Sequence, residues 1–302
     1  MALLSDDDVF GAPSSGGLMS DDDVFGAGSA KPAKSSSLRR MVADPAISLL
    51  KGAIAVPEAA VGIADITSMG YAGKAAEAMG FRPKEAKAIL DEYLTPEQKA
   101  ANAAVKAGEG FVDTAQLAIQ NPSVIGHMAT ESLPQALGGG LVGQAVRKVG
   151  TKIAPWVAGA IGEGILGAGS AAEGARQQTD DGLLSGKQVA ASLASGVGTA
   201  AFGAAGGKVA QKLGIADIDT AIASGAMQAS SKGLSRRVAE GALSEGVLEE
   251  LPQSAWEQAT QNVATDRPIG EGVGQAAALG MLSGNLMGGA FNALPGSKYA
   301  EI

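Results

Sequence analysis

Small, bulky and polar residues recur with helical period along most of this chain. Residues 272–297 run 26 positions without a charge, and within them Ala276, Gly280, Gly284 and Gly288 return every four. On a helix this spacing stacks the small residues into one groove. Leu279, Met281, Leu282, Leu286 and Met287 cover the rest. A second uncharged span, Gln188 to Gly207, carries a small stripe (Ser195, Thr199, Gly203, Gly207) and a bulky one (Val189, Leu193, Val197). Residues 133–146 are also uncharged, and residues 153–172 mix Ile153, Trp156, Ile161, Ile165 and Leu166 with five glycines. No run of β-branched residues alternates with period two, so the pattern predicts an all-α fold of Ala/Gly-rich helical hairpins or a bundle.

Start and stop signals divide the first half more finely. Asp44-Pro45 reads as an N-cap followed by proline in the first turn, opening a helix through Ile47, Leu50, Ile54 and Val61, with Pro57 as a kink or break. Arg82–Leu94 reads as an amphipathic helix, with Ala86, Ile89, Leu90 and Tyr93 inward and Lys84, Lys87 and Asp91 outward. Thr95-Pro96-Glu97 opens the next helix, toward Phe111 and Leu117, and Asn121-Pro122 interrupts it. Glu131-Ser132-Leu133-Pro134-Gln135 and Glu249-Glu250-Leu251-Pro252-Gln253 share a Glu-x-Leu-Pro-Gln core. Each is expected to lead into a helix with proline in its first turn, giving two related hairpins that complete one another.

Composition makes the core weak. Of 302 residues 44 are glycine and 11 aromatic, glycine standing at about twice its usual ~7%. Alanine and glycine remove little area from water, so at ~25 cal/mol per Å² such a core is weakly driven. Charge divides the chain unevenly. Of the net −8, −6 lies in residues 1–30, which hold six aspartates and no basic residue. Residues 1–40 are therefore expected to be a disordered acidic tail closed by a short basic linker. Within it Ser5–Ala12 returns unchanged as Ser20–Ala27, offering Val9/Phe10 and Val24/Phe25 as a bivalent docking peptide. Residues 41–120 follow as soluble amphipathic helices, and residues 121–302 as the Gly/Ala-rich oligomerisation or membrane-active region.

Little chemistry is legible. There is no cysteine, and the single histidine, His127, gives little basis for a zinc or iron site or a Ser-His-Asp arrangement. No G-x-x-x-x-G-K-[ST] loop occurs, and the contiguous aspartate triplets cannot wrap a calcium ion. Glu131-Ser132 with Gly138–Gly140 and Gln144 superficially resembles the glutamate motif of lytic transglycosylases. Leu133-Pro134 breaks the motif, its later aromatic and Asn/Tyr elements are missing, and a lone glutamate lacks a second carboxylate. Glu245, Glu249 and Glu250 read as a solvated helix face. A non-enzyme without catalytic, cofactor or metal residues is the expectation, with no basic footprint for nucleic acid.

The uncharged spans are long enough to cross a hydrocarbon core of about 30 Å. Positions 273–294 hold 13 apolar residues, yet five are alanine, and Gln275, Asn285 and Asn292 intervene. Conditional insertion fits this composition: soluble helices that rearrange as an oligomer through small-residue faces.

The block Leu248–Ser254, then Glu257-Gln258, Gln261-Asn262, Arg267-Pro268 and the glycine-rich stretch to Gly289, resembles internal virion proteins of tailed bacteriophages, the DNA-ejection proteins of short-tailed phages in particular. Glu131–Val146 and Gly164–Gln188 are similar to the same proteins. The resemblance spans roughly residues 120–295. It implies a protein packed inside the capsid and expelled with the genome into the host periplasm and inner membrane. There it would be a homo-oligomer alongside other ejection proteins, with DNA as passing cargo; inside the head the duplicated peptide could dock on the portal or on partner ejection proteins. It implies no catalytic residue or cofactor. Two other readings stand beside it: a soluble scaffold-like virion component, and a pore-forming bacterial effector.

Overall fold

The computed structural model describes residues 39–150, 152–225 and 230–294, which are helical with no strand among them. The duplicated peptide with Val9, Phe10, Val24 and Phe25 lies outside the described residues. A π-helical turn, Arg39–Ala43, leads into α1 (Asp44–Ser68), followed by α2 (Tyr71–Ala78), α3 (Pro83–Glu92), α4 (Pro96–Lys106) and α5 (Gly110–Gln120). The long helices come next: α6 (Pro122–Val149), α7 (Pro155–Arg176) and α8 (Gly186–Leu213). The short α9 (Ile218–Ser224) precedes α10 (Leu234–Ala242), a π-helical segment (Leu243–Glu250), α11 (Leu251–Ala264) and α12 (Val273–Ala293). The described residues from 39 onward pack as one unit, without a boundary near residue 120.

α7 is the axis of this unit, flanked by α1, α6, α8 and α9. Its glycines explain how four helices reach it. A β-carbon at Gly162 would strike the Gly139 carbonyl of α6, and one at Gly169 the Ala59 carbonyl of α1. One at Gly164 would lie 2.5 Å from the Gly196 carbonyl of α8. Backbones thus meet directly on three sides, and dispersion between close-packed main chains replaces the burial of large side chains. Seventeen of the twenty-four buried hydrophobic residues among those described are alanine. α10, the π segment and α11 form a continuous arm, against which α12 runs antiparallel.

Several local expectations need correction. Asp44 does not cap its own helix. Its buried carboxylate accepts the Thr95 N–H (3.1 Å) and hydroxyl (2.6 Å), bracing the start of α4, where Thr95 itself accepts the Gln98 N–H as N-cap. α1 is continuous through Pro57. Pro134 lies in the interior of α6 rather than in a first turn, and Gly52 of α1 packs on the Glu131 carbonyl and the Pro134 ring. On α3, Ile89 and Tyr93 point outward, while Lys87 turns inward to pair with Glu58. The helix opened by Thr95 ends at Lys106, and α5 restarts at Gly110.

The π segment runs directly into Pro252. Proline at position 252 clashes with the carbonyl four residues earlier, Leu248, and donates no N–H. Widening the preceding turns relieves that clash. Residues four and five apart then share a face, which sets Glu245 beside Glu249 and Glu250 while Val247 and Leu248 face out.

Candidate functional site

Glu245, Glu249 and Glu250 are not a solvated face. They project inward to a chamber of about 480 Å³ whose walls also hold Glu163, Asp219 and Glu257. Among the described residues, no lysine, arginine or histidine lines it. Asp217 sits behind the wall as N-cap of α9, accepting the Thr220 N–H at 2.7 Å. Seven carboxylates thus converge from α7, α9 and its cap, the π segment and α11. Like charges in a poorly solvated space cannot all ionise. Burial, then mutual repulsion, pushes Glu163, Asp219, Glu245 and Glu249 well above the usual carboxylate range. Burial and Glu257 push Glu250 up to about 8. Asp217 and Glu257 are raised by burial too, with Thr220 and Thr199 respectively holding them back.

The small stripe of α8 faces this chamber. Ser195 and Thr199 line it, and the Thr199 hydroxyl donates to Glu257 at 2.8 Å. A β-carbon at Gly203 would strike Glu163 Oε2, and one at Gly206 would strike Glu249 Oε2. Gly207 sits against Trp156 and Thr220. The absent side chains therefore leave the room that the carboxylates fill. The α12 stripe is likewise used inside the chain. Gly280 packs on Ser254 and the Glu250 carbonyl, Gly284 on Glu250 and Gly246, and Gly288 on Glu245 and Gly241; half-buried Ala276 lines the chamber. Both stripes mediate helix packing within one chain, and packing between copies would require these faces to be vacated.

Hydrogen bonding in the chamber is incomplete. The Gln253 amide donates to Glu163 Oε1 at 2.7 Å and the Ile218 N–H to Glu245 Oε1 at 3.1 Å. Glu163 Oε2, Asp219 Oδ1, Glu249 Oε2, Gln253 Oε1 and Ser195 Oγ have no hydrogen-bond partner among the described residues. One carboxylate oxygen each from Glu163, Asp219 and Glu249 lie within 4.8 Å of one another, as do one each from Asp217, Glu245 and Glu249. Oxygen sets of this kind suit a hard cation.

A second buried cluster shows the contrasting solution. Arg176, 1% exposed, bonds Glu173 (2.6 and 2.8 Å), pairs with Asp65 at 3.1 Å and reaches Glu77. Burial pushes Glu173 up, but hydrogen bonds from Arg176 and Gln177 outweigh it and hold the carboxyl low. His127 stands elsewhere: its Nδ1 lies 2.7 Å from the Ser48 hydroxyl, and burial lowers its pKa.

Glu163, Asp217 and Asp219 were not singled out by sequence reasoning, and Glu257 entered only as part of the resembling block. One signal was available: Glu163 is an isolated charge between Gly162 and Gly164 in an otherwise apolar stretch. Among the described residues two helices, Arg40–Ser68 and Gly186–Leu213, are long and apolar enough to cross a membrane, a test that the core helix of a soluble protein also passes. α12 does not reach that apolarity. No family model, curated protein or solved structure matches this chain.

Proposed function

We propose that this chain is a non-enzymatic helical protein that engages a lipid bilayer as an oligomer. Its role would be that of an internal virion protein, expelled from a phage capsid with the genome to build part of a conduit across the host envelope. The observation that carries the membrane half of this reading is an acidic chamber inside the fold beside apolar stripes exposed on its outside. Carboxylates occupy the interior, while large apolar residues stand outside in helical stripes: Leu133, Leu137 and Leu141 on α6, and Leu193 and Val197 on α8. A water-soluble monomer rarely exposes contiguous apolar stripes. In a bilayer the pattern is the ordinary one, with ionisable groups facing the bundle interior or a water-filled cavity and apolar faces meeting lipid. The virion half rests on the resemblance of residues 120–295 to ejection proteins.

Flotation with anionic liposomes, with entrapped-dye release read in parallel at neutral and mildly acidic pH, tests the reading. Co-flotation with release is the expected result. Folded, helical protein left at the bottom of the gradient would overturn it. A soluble structural component of the virion would then be preferred, a reading supported by the filling of both glycine stripes from within the chain.

A further inference from the structure

The acidic chamber carries an inference that does not depend on membrane engagement. Buried carboxylates without a cationic partner must be neutralised by protons or by metal, because isolated charges are costly in a poorly solvated space. Among the seven, Glu163, Asp219 and Glu249 form a distinct set. Each lines the chamber and each keeps one oxygen with no hydrogen-bond partner. Oxygens from the three converge within 4.8 Å. By contrast, Asp217 and Glu245 in the alternative set are engaged by the N–H groups of Thr220 and Ile218.

An independent observation points to a cation. Gln253, 6% exposed, donates its amide N–H to Glu163 Oε1, leaving its carbonyl Oε1 in the chamber wall without a donor. A neutral acceptor orphaned among carboxylates calls for a donor or a cation, and ionised carboxylates supply neither. Gly203 and Gly206 of α8 let Glu163 Oε2 and Glu249 Oε2 sit against the main chain, where a β-carbon would collide with them.

We propose that Glu163, Asp219 and Glu249, with the Gln253 carbonyl oxygen, bind a divalent cation. The all-oxygen donor set selects a hard ion of the Ca²⁺/Mg²⁺ class, with water completing the shell. Such an ion would join α7, α9 and the π segment, three elements whose carboxylates otherwise repel. It would make the packed form cation-dependent, since a ligand that binds only the folded state stabilises it by mass action.

The test is thermal unfolding of the full chain after EDTA dialysis, titrated separately with Ca²⁺, Mg²⁺ and Mn²⁺ at neutral pH and constant ionic strength. Saturating cation should raise the melting temperature by about 5 °C or more. Isothermal titration should show one site per chain. Glu249→Gln and Asp219→Asn keep side-chain volume and relieve repulsion, so both should fold without metal and lose the response to it. Glu245→Gln should retain that response. Absence of a shift with all three cations would overturn the proposal. Loss of the response in Glu245→Gln but not in Asp219→Asn would overturn the assignment to these residues. Lipid enters none of these measurements, so failure of the membrane reading leaves them unaffected.

Discussion

Arg176 and Glu163 stand on the same helix in opposite surroundings. Arg176 is enclosed by carboxylates that neutralise it, whereas Glu163 faces carboxylates that do not. Arg176→Met should therefore leave Asp65 and Glu173 buried without a cation, costing about 3–5 kcal/mol in a urea melt; an unchanged midpoint would show the pair to be solvated. The glycines allow a sharper contrast. At Gly162 an added methyl meets the Gly139 carbonyl, so Gly162→Ala should destabilise by roughly 1–3 kcal/mol. At Gly126 in α6 it meets nothing within 4 Å, so Gly126→Ala should stabilise by about 0.5–1 kcal/mol. Equal effects at both positions would contradict direct backbone contact. Sequence periodicity found the small stripes but not their occupants. The spacing of Ser195, Thr199, Gly203 and Gly207 defines a groove. Only the fold brings Glu163 and Glu249 to it, from 40 residues before and 46 residues after Gly203.

Among elements, the arm formed by α10, the π segment and α11 sets the chamber. Pro252 was legible as a helix-initiating residue because proline is at home in a first turn. The π widening ahead of it, which turns three glutamates inward, depends on a helix continuing upstream, and local pattern does not carry that information. Pro134 was misplaced for the same reason: α6 runs through it, with Gly52 packed beside it. The α12 stripe yields a test between packing within a chain and packing between copies. A β-carbon at Gly284 would lie 2.6 Å from Glu250 Cγ. Gly284→Leu should lower the melting temperature of the soluble protein by the same amount at every protein concentration. A concentration-dependent wild-type melting temperature, with the variant monomeric and equally stable, would instead assign the stripe to contacts between chains.

At the scale of the whole molecule, the helical class and the placement of the long helices followed from hydrophobic period and proline positions. α1 packs on α6 and α7 through glycines that composition alone does not pair. The chamber links the entire fold to pH. Glu250 holds its proton to about pH 8 in the folded chain, against an ordinary value of 4.5. Between those values unfolding releases a proton, so the stabilisation present below pH 4.5 is lost as pH rises through 8. The other raised chamber carboxyls act in the same direction. In EDTA the urea midpoint should be lower at pH 8 than at pH 5, and a higher midpoint at pH 8 would contradict a chamber of protonated acids.

The apolar stripes on the exterior make the most direct claim, and the cysteine-free chain allows a clean probe of it. Val197, 70% exposed on the outer face of α8, can be changed to cysteine and labelled with an environment-sensitive fluorophore, with Asp180→Cys in the exposed loop before α8 as the reference. On addition of anionic liposomes the Val197 label should shift to the blue and be quenched by nitroxide lipids, while the Asp180 label stays in water. Two unchanged spectra, from protein that remains helical, would contradict membrane engagement through this face.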